Sequence, residues 1–234
     1  MSGAGPGRTA PAVALCGAIL AAAFILDWRS PLAGQLVAGL LTWAVALVFI
    51  ARADAVQRPL LVWCMAWATA GELFASLVWG LYTYRLGNIP HFVPPGHVLL
   101  FLMGWYLAPR LSLTAAHALT AAYAVLTLAA LILWQDEFSV LLFAVYAVLY
   151  WRAPALRKLL ATMFGLALGI ELFGTSLGVW GWAERTPWLG LATVNPPVAV
   201  GAFYCALDAL VAWSAGARIG SWTLVSRSGR TRAA

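Results

Sequence analysis

Five ionisable side chains lie within or at the edges of long apolar runs: Glu72, His97, His117, Glu171 and Asp208. A carboxylate in the middle of a bilayer is costly, so it faces a bundle interior or a water-filled cavity and often has a function. Burial also favours the neutral form of a carboxyl group, which can then donate a proton. These residue types therefore predict acid–base chemistry in an apolar environment.

Four of these residues have a predicted chemical role, whereas His117, near the end of its span, is expected to be a packed or snorkelling histidine. Glu72 and Asp208 are the predicted catalytic acid and base, and Glu171 and His97 are the partners that tune them. Asp208 has no acidic counterpart in the first half of the chain, which indicates specialisation. A hydrogen bond to Tyr204 or to a neighbouring helix is the structural alternative for Asp208.

Aromatic side chains accompany the acidic residues, and the chain contains 13 tryptophans. Many tryptophans of a membrane protein lie at the bilayer interface. Beside a protonated carboxyl group, however, tryptophans favour a catalytic role. Aromatic faces stabilise the carbocation that forms when a proton adds to an alkene. The predicted substrate-binding residues are Trp79, Tyr82, Trp180, Tyr204 and Asn195.

An internal repeat connects the two glutamates. Three blocks recur in the same order about one hundred residues later: Glu72–Ser76 as Glu171–Thr175, Gly80–Tyr84 as Gly178–Trp182, and Val93–Pro95 as Val194–Pro197. The repeat predicts two halves, 10–109 and 112–217, related by a pseudo-twofold axis along the membrane normal. In such architectures the site forms where the repeats meet, here among the third, fourth, seventh and eighth helices.

The composition requires a membrane. Of the 234 residues, 63% are hydrophobic and only 9% are charged, and the mean hydropathy is +0.87. A soluble domain carries about a quarter charged residues. The net charge of +6 could suggest nucleic acid as a partner, but the basic residues flank apolar runs and form no patch, so we exclude that partner.

Apolar runs separated by charged residues or by Pro and Gly predict an all-α bundle of about eight transmembrane helices in one membrane domain, 1–218. The predicted spans are 10–27, 32–51, 59–82, 94–108, 112–134, 138–151, 158–182 and 194–217. Eleven Arg and Lys residues then lie on one side and three on the other. Both termini are therefore expected in the cytoplasm, in the cell (inner) membrane, with 219–234 as a disordered basic tail.

No cofactor or metal is expected. The chain has no HExxH, P-loop or GxGxxG motif, which argues against ordinary zinc protease, NTPase and dinucleotide sites. The three cysteines lie in apolar spans and form no CxxC pair, so no disulfide is expected.

The segment Glu72…Gly80-Leu81-Tyr82-Thr83-Tyr84…Val93-Pro94-Pro95 resembles the Glu, G-x-Y-x-Y and V-P pattern of bacterial integral-membrane carotenoid hydratases. A small bundle with membrane carboxyl groups is also similar to the membrane-bound terpene cyclases. The likeness covers about thirty residues. It implies a proton-donor role for Glu72 alone.

Three functions remain open from the sequence. The first is an enzyme, a lyase or isomerase that hydrates, cyclises or isomerises a lipophilic isoprenoid-like small molecule. The second is a proton-coupled transporter of a small solute, and the third is a structural membrane subunit in which the acids only join helices. The oligomeric state stays open.

Overall fold

A computed structural model describes residues 6–216 and is mostly helical, which confirms the helical class. The eight α-helices of the described part are α1 (Pro6–Arg29), α2 (Pro31–Arg52), α3 (Gln57–Glu72), α4 (Val93–Leu107), α5 (Leu113–Trp134), α6 (Glu137–Arg152), α7 (Arg157–Ser176) and α8 (Gly201–Ser214). The predicted basic tail at 219–234 lies outside the described residues.

Five stretches of the described chain are long and apolar enough to cross a membrane. They are Thr9–Arg29, Leu32–Arg52, Gln57–Val78, Leu113–Trp134 and Pro154–Ser176. The helices α4, α6 and α8 have 15, 16 and 14 residues, fewer than the roughly 20 residues of a perpendicular crossing.

The outer faces of the helices are apolar. Leu40 is 75% exposed, and Ile132 and Trp151 are each 70% exposed. Water-soluble monomers rarely present contiguous apolar surface of this kind, whereas a bilayer solvates it. The exposed side chains therefore agree with the span lengths in indicating a membrane protein.

Four helices form a closed ring at the centre, since α3 packs on α4, α4 on α7, α7 on α8, and α8 on α3. These are the four helices that the sequence analysis expected around a common cleft. α1 packs on α2 and α4, while α5 packs on α6 and α7.

A two-stranded antiparallel sheet, absent from the all-α prediction, joins the ends of α3 and α7. Its strands are β1 (Tyr82–Tyr84) and β2 (Trp180–Trp182). Thr83 pairs with Gly181 at the centre, and Tyr82 and Tyr84 pair with Trp182 and Trp180 on either side.

The predicted ends of the third and seventh spans, at 82 and 182, were wrong for the same reason. The helical path of α3 continues as a π-helical segment, Leu73–Val78, and α7 stops at Ser176. Gly80 and Gly178 then adopt φ values of 71° and 67°. Glycine reaches this left-handed region without steric cost, so it turns the chain from helix into strand.

The loop before α8 is anchored to the start of α6. Asp136 is fully buried, caps α6 through Ser139 N and accepts hydrogen bonds from Thr193 Oγ1 and Val198 N. The backbone up to Val200 is held as turns, and α8 begins at Gly201 rather than at the predicted 194.

Candidate functional site

Glu72 lies at the last residue of α3, 8% exposed, inside the ring of helices. Its Oε2 accepts hydrogen bonds from the hydroxyls of Tyr82, at 2.8 Å, and Tyr84, at 2.6 Å. Its other oxygen, Oε1, lies 3.6 Å from Nε2 of His97. One oxygen is therefore fixed by two phenols, and the other faces a group that can exchange a proton with it.

The hydrogen bonding of His97 determines which ring nitrogen carries a proton. Nδ1 lies 3.0 Å from the backbone carbonyl oxygen of Val93. A carbonyl oxygen can only accept, so Nδ1 is the protonated nitrogen and Nε2 of the neutral ring is bare. A bare Nε2 and an ionised carboxylate 3.6 Å apart would repel each other, so the geometry favours one proton on the Glu72–His97 pair, on either Oε1 or Nε2.

Glu171 lies in α7, 5% exposed, and is bound by three donors. The indole nitrogens of Trp180 and Trp182 donate to Oε2 at 2.8 and 3.1 Å, and the Tyr204 hydroxyl donates to Oε1 at 2.8 Å. An indole N–H can only donate, so Oε2 must present lone pairs to both. This arrangement suits a carboxylate that stays unprotonated at Oε2.

The β1–β2 ribbon positions four of these donors. Alternate residues of a strand point to the same face, which brings Tyr82 and Tyr84 to Glu72, and Trp180 and Trp182 to the other glutamate. The rings of Tyr82 and Trp182 pack across the strands with centroids 4.8 Å apart. One ribbon therefore orients both carboxyl groups.

The two phenols of β1 lie outside the five spanning stretches. Burial raises the pKa of Tyr82 and of Tyr84 well above the ordinary value, and the neighbouring Glu72 carboxylate raises both further. Both hydroxyls therefore stay protonated at neutral pH and act as donors.

Two partly open cavities, of about 40 and 110 Å³, flank this cluster. Both are lined by Glu72, Tyr82, His97, Glu171 and Tyr204. The remaining lining is mainly aliphatic and aromatic, so the cavities combine acid–base groups with apolar walls. Since one water needs roughly 10–15 Å³ by this measure, each cavity has room for several waters.

The structure brings most of the sequence-predicted residues together at these cavities. Glu72, His97, Glu171, Tyr82 and Tyr204 line both cavities, and Trp180 lines the smaller one. Asn195 supports the site from behind, because its Oδ1 accepts the backbone N–H of Trp182 at 3.0 Å.

Asp208 lies outside the cluster. It is 1% exposed in α8, close to the thiols of Cys64 and Cys205, and is not among the residues that line either cavity. Neither of its carboxyl oxygens has a hydrogen-bond partner within the described residues. The Tyr204 hydroxyl, one of the alternative partners considered for Asp208, is bonded to Glu171 instead.

Trp79 and His117 also lie away from the cavities. Trp79 stacks on Trp188, with ring centroids 5.3 Å apart. His117 Nδ1 lies 3.2 Å from the Tyr150 hydroxyl, as expected for a packing histidine.

Two donors of the cluster, Tyr84 and Trp182, were not among the predicted site residues. The alternation of aromatic residues at 82 and 84, and at 180 and 182, has the period of a strand, which would place each pair on one face, but three residues are too few to establish that period. Leu20 and Phe24 of α1 also line the smaller cavity, and nothing in their local sequence connects them to the glutamates.

Within residues 6–216, no three His, Cys, Asp or Glu side chains come together in a way that would hold a metal ion. Comparison of the chain with protein-family models, with curated proteins and with solved structures finds no match. The geometry of the site therefore carries the functional argument alone.

Gly174→Ala is expected to disturb the site through Trp180. A Cβ at Gly174 would overlap the indole ring of Trp180, so the ring must move and its N–H leaves Glu171. We expect a loss of about 1–3 kcal/mol in stability, as for other overpacked interiors. Thermal unfolding of the detergent-solubilised protein measures it.

Gly169→Ala is the matched control on the same helix. A Cβ there meets nothing within 4 Å. Alanine is also a better helix former than glycine, so the midpoint of thermal unfolding should stay the same or rise slightly. Equal destabilisation by the two substitutions would contradict the close packing of Trp180 on α7.

Proposed function

We propose that this chain is an integral-membrane enzyme that adds a proton to, or removes one from, a neutral isoprenoid-like substrate, giving hydration, cyclisation or isomerisation. The observation that carries the proposal is the Glu72–His97 pair, whose geometry favours one proton on the pair and which faces two cavities with mainly apolar walls. A proton source in a water-poor, aromatic-lined space suits the protonation of an alkene.

The proposed reaction is balanced without an oxidant or reductant. The π electrons of a C=C bond take the proton of the Glu72–His97 pair, which leaves a carbocation on the other alkene carbon. Either water attacks the cation and loses a proton, or a second C=C bond closes a ring and a neighbouring C–H bond gives up its proton. In each case the proton returns to the pair.

Glu171 and the aromatic faces stabilise the cation in this proposal. The Glu171 carboxylate lines both cavities and needs no movement to act on positive charge that develops there. The ring of Tyr204 stacks on His97, with centroids 5.2 Å apart and planes inclined by 12°. Tyr204 therefore joins the proton source to the stabilising carboxylate.

The charge of the lining favours a neutral substrate. Two carboxyl groups line the cavities, and no lysine or arginine of the described residues does. A prenyl diphosphate would need cationic groups or a metal-binding carboxylate cluster to hold its phosphates. A hydrocarbon or alcohol of isoprenoid type needs neither.

We further propose that the chain is a 4+4 duplication with eight membrane crossings, both termini cytoplasmic. The strand register supports it, because Thr83 and Gly181 are equivalent in the repeat and pair with each other. The flanking bonds, Arg85 N to Val179 O and Ala183 N to Leu81 O, are related in the same way. A twofold axis through this central pair would exchange Tyr82 with Trp180 and Glu72 with Glu171.

The transporter reading has weaker support. Alternating access by rocking of two repeats requires their contact to slide. Here the two halves share a hydrogen-bonded β ribbon whose side chains hold both glutamates. The ribbon opposes such sliding and favours a fixed site between the halves.

Reaction in D₂O tests the proposed chemistry. The purified protein in phosphatidylcholine vesicles is supplied with a panel of neutral isoprenoid polyenes and alcohols, and products are analysed by mass spectrometry. Because the proton of the pair exchanges with solvent, the product should carry deuterium on carbon. Conversion without carbon-bound deuterium, or no conversion of any member of the panel, would count against the proposal.

A further inference from the structure

The two cavities have similar surroundings but different cover. The smaller one lies between α4 and α7 and is closed on one side by α1, whose Leu20 and Phe24 line it and are 4% and 3% exposed. Phe24 packs edge-on against Trp180, with ring centroids 5.2 Å apart. The larger cavity lies in the corresponding position between α3 and α8.

The larger cavity lacks the equivalent cover. The helix that corresponds to α1 in the second half is α5, which packs on α6 and α7. No α5 residue is among the described residues that line the larger cavity. The larger cavity therefore has no cover from α5 of the kind that α1 gives the smaller one.

Gly71 marks the place where the larger cavity reaches the surface. Gly71 lines the cavity and is exposed, and no neighbouring atom lies within 4 Å of the position that a Cβ would take. The hydrogen bond from Trp67 Nε1 to Ser214 Oγ, 2.8 Å long, ties α3 to α8 beside this opening.

The surface around the opening is apolar. Trp63 on α3 and Phe74 on its π-helical continuation are 41% and 46% exposed, and on α8, Leu210 and Trp213 are 41% and 67% exposed. Such a rim is solvated by lipid chains, so a lipophilic molecule dissolved in the bilayer can reach it directly.

We infer that the opening at Gly71, between α3 and α8, is a lateral entrance through which a neutral isoprenoid chain passes from the bilayer into the larger cavity. This inference rests on the proposed function for the kind of chain that enters. The walls beyond the opening are apolar, including Ala75, Phe203 and Leu207, and Glu72 and His97 lie at the inner end. The entering chain thus reaches the proton of this pair without crossing water.

Photolabelling in vesicles tests the entrance. The full-length protein is reconstituted in phosphatidylcholine vesicles that contain a diazirine-tagged farnesol analogue, and adducts are mapped by peptide mass spectrometry. Adducts are expected on α3 around 67–75 and on α8 around 203–210. Gly71→Leu places a side chain across the opening and should lower their yield about tenfold, the change that loss of one chain segment's apolar contacts produces.

Gly169→Leu is the control. Gly169 is an exposed glycine of α7 with nothing within 4 Å of its Cβ position, and it is not among the residues lining either cavity. Its variant should label like the wild type. A diazirine-tagged phosphatidylcholine in a second arm distinguishes the proposed chain from a lipid acyl chain, which should not compete with the farnesol analogue.

Three outcomes overturn the entrance: equal labelling of the two variants, adducts confined to α1 around Leu20 and Phe24, or full competition by the phospholipid probe. Unfolding of Gly71→Leu is checked by its thermal midpoint, and Gly71→Val then serves as the second variant. Labelling needs no turnover, so a failed labelling experiment contradicts only the proposed entrance. Product without carbon-bound deuterium contradicts only the proposed function.

Discussion

Glu72→Gln is expected to lower product formation by about a thousandfold, within the range that general acid–base groups contribute. The substitution removes the proton while keeping the hydrogen bonds. The amide oxygen can accept from Tyr82 and Tyr84 as Oε2 does now, and the amide N–H₂ can donate to the bare Nε2 of His97. The variant should therefore fold and insert like the wild type and fail only in proton transfer.

The measurement is turnover in vesicles together with the thermal midpoint of the same preparation. The midpoint should change by less than about 2 °C, the size of a small change in stability. Asp208→Asn is the comparison, because Asp208 is also a buried carboxyl in the bundle but does not line the cavities. It should lower turnover far less. If Asp208→Asn removes activity and Glu72→Gln does not, the acid has been assigned to the wrong residue.

Glu171→Gln is expected to lower kcat by about 30- to 100-fold, the effect of losing one preorganised electrostatic group of a few kcal/mol. KM should change little, because the carboxylate charge acts on the cation and hardly on the neutral substrate. The amide oxygen can still accept from Trp180 and Trp182, so the ribbon keeps its place.

Steady-state kinetics of Glu171→Gln separate this role from a structural one. A packing role predicts a lower thermal midpoint and an unchanged kcat per folded molecule. The electrostatic role predicts an unchanged thermal midpoint and a lower kcat. Trp182→Phe is a graded control, since it removes one of the three donors to Glu171 and leaves its charge. Unchanged kcat in Glu171→Gln would show that this carboxylate takes no part in the reaction.

Much of the helical framework follows from apolar run length, because a segment of about twenty apolar residues has few alternatives to a membrane helix. The importance of Glu72 and Glu171 follows from the repeat, which places the same acid before the same aromatic block. These inferences need only the local sequence and its recurrence. They predicted the ring of α3, α4, α7 and α8 that the structure contains.

The strands could not be predicted in the same way. Three-residue strands such as Tyr82–Tyr84 are shorter than any periodicity window, and their pairing partner lies about one hundred residues away. Aromatic residues are also common at the interfacial end of a membrane helix. The aromatic residues at 82–84 and 180–182 therefore favoured a helix end where the structure has strands. The orientation of Asp208 depended on which face of α8 meets α3, which the sequence of α8 alone does not determine.

The central claim is that the Glu72–His97 pair carries one proton, on either Oε1 of Glu72 or Nε2 of His97. Solid-state NMR of ¹⁵N-histidine-labelled protein in bilayers tests it directly, with His97→Gln used to assign the signals among the three histidines. We expect Nδ1 of His97 to carry a proton, Nε2 to hold or hydrogen-bond the proton of the pair in the wild type, and Nε2 to be bare in Glu72→Gln. A wild-type ring with a bare Nδ1 and a protonated Nε2 that is unchanged in Glu72→Gln would contradict the account.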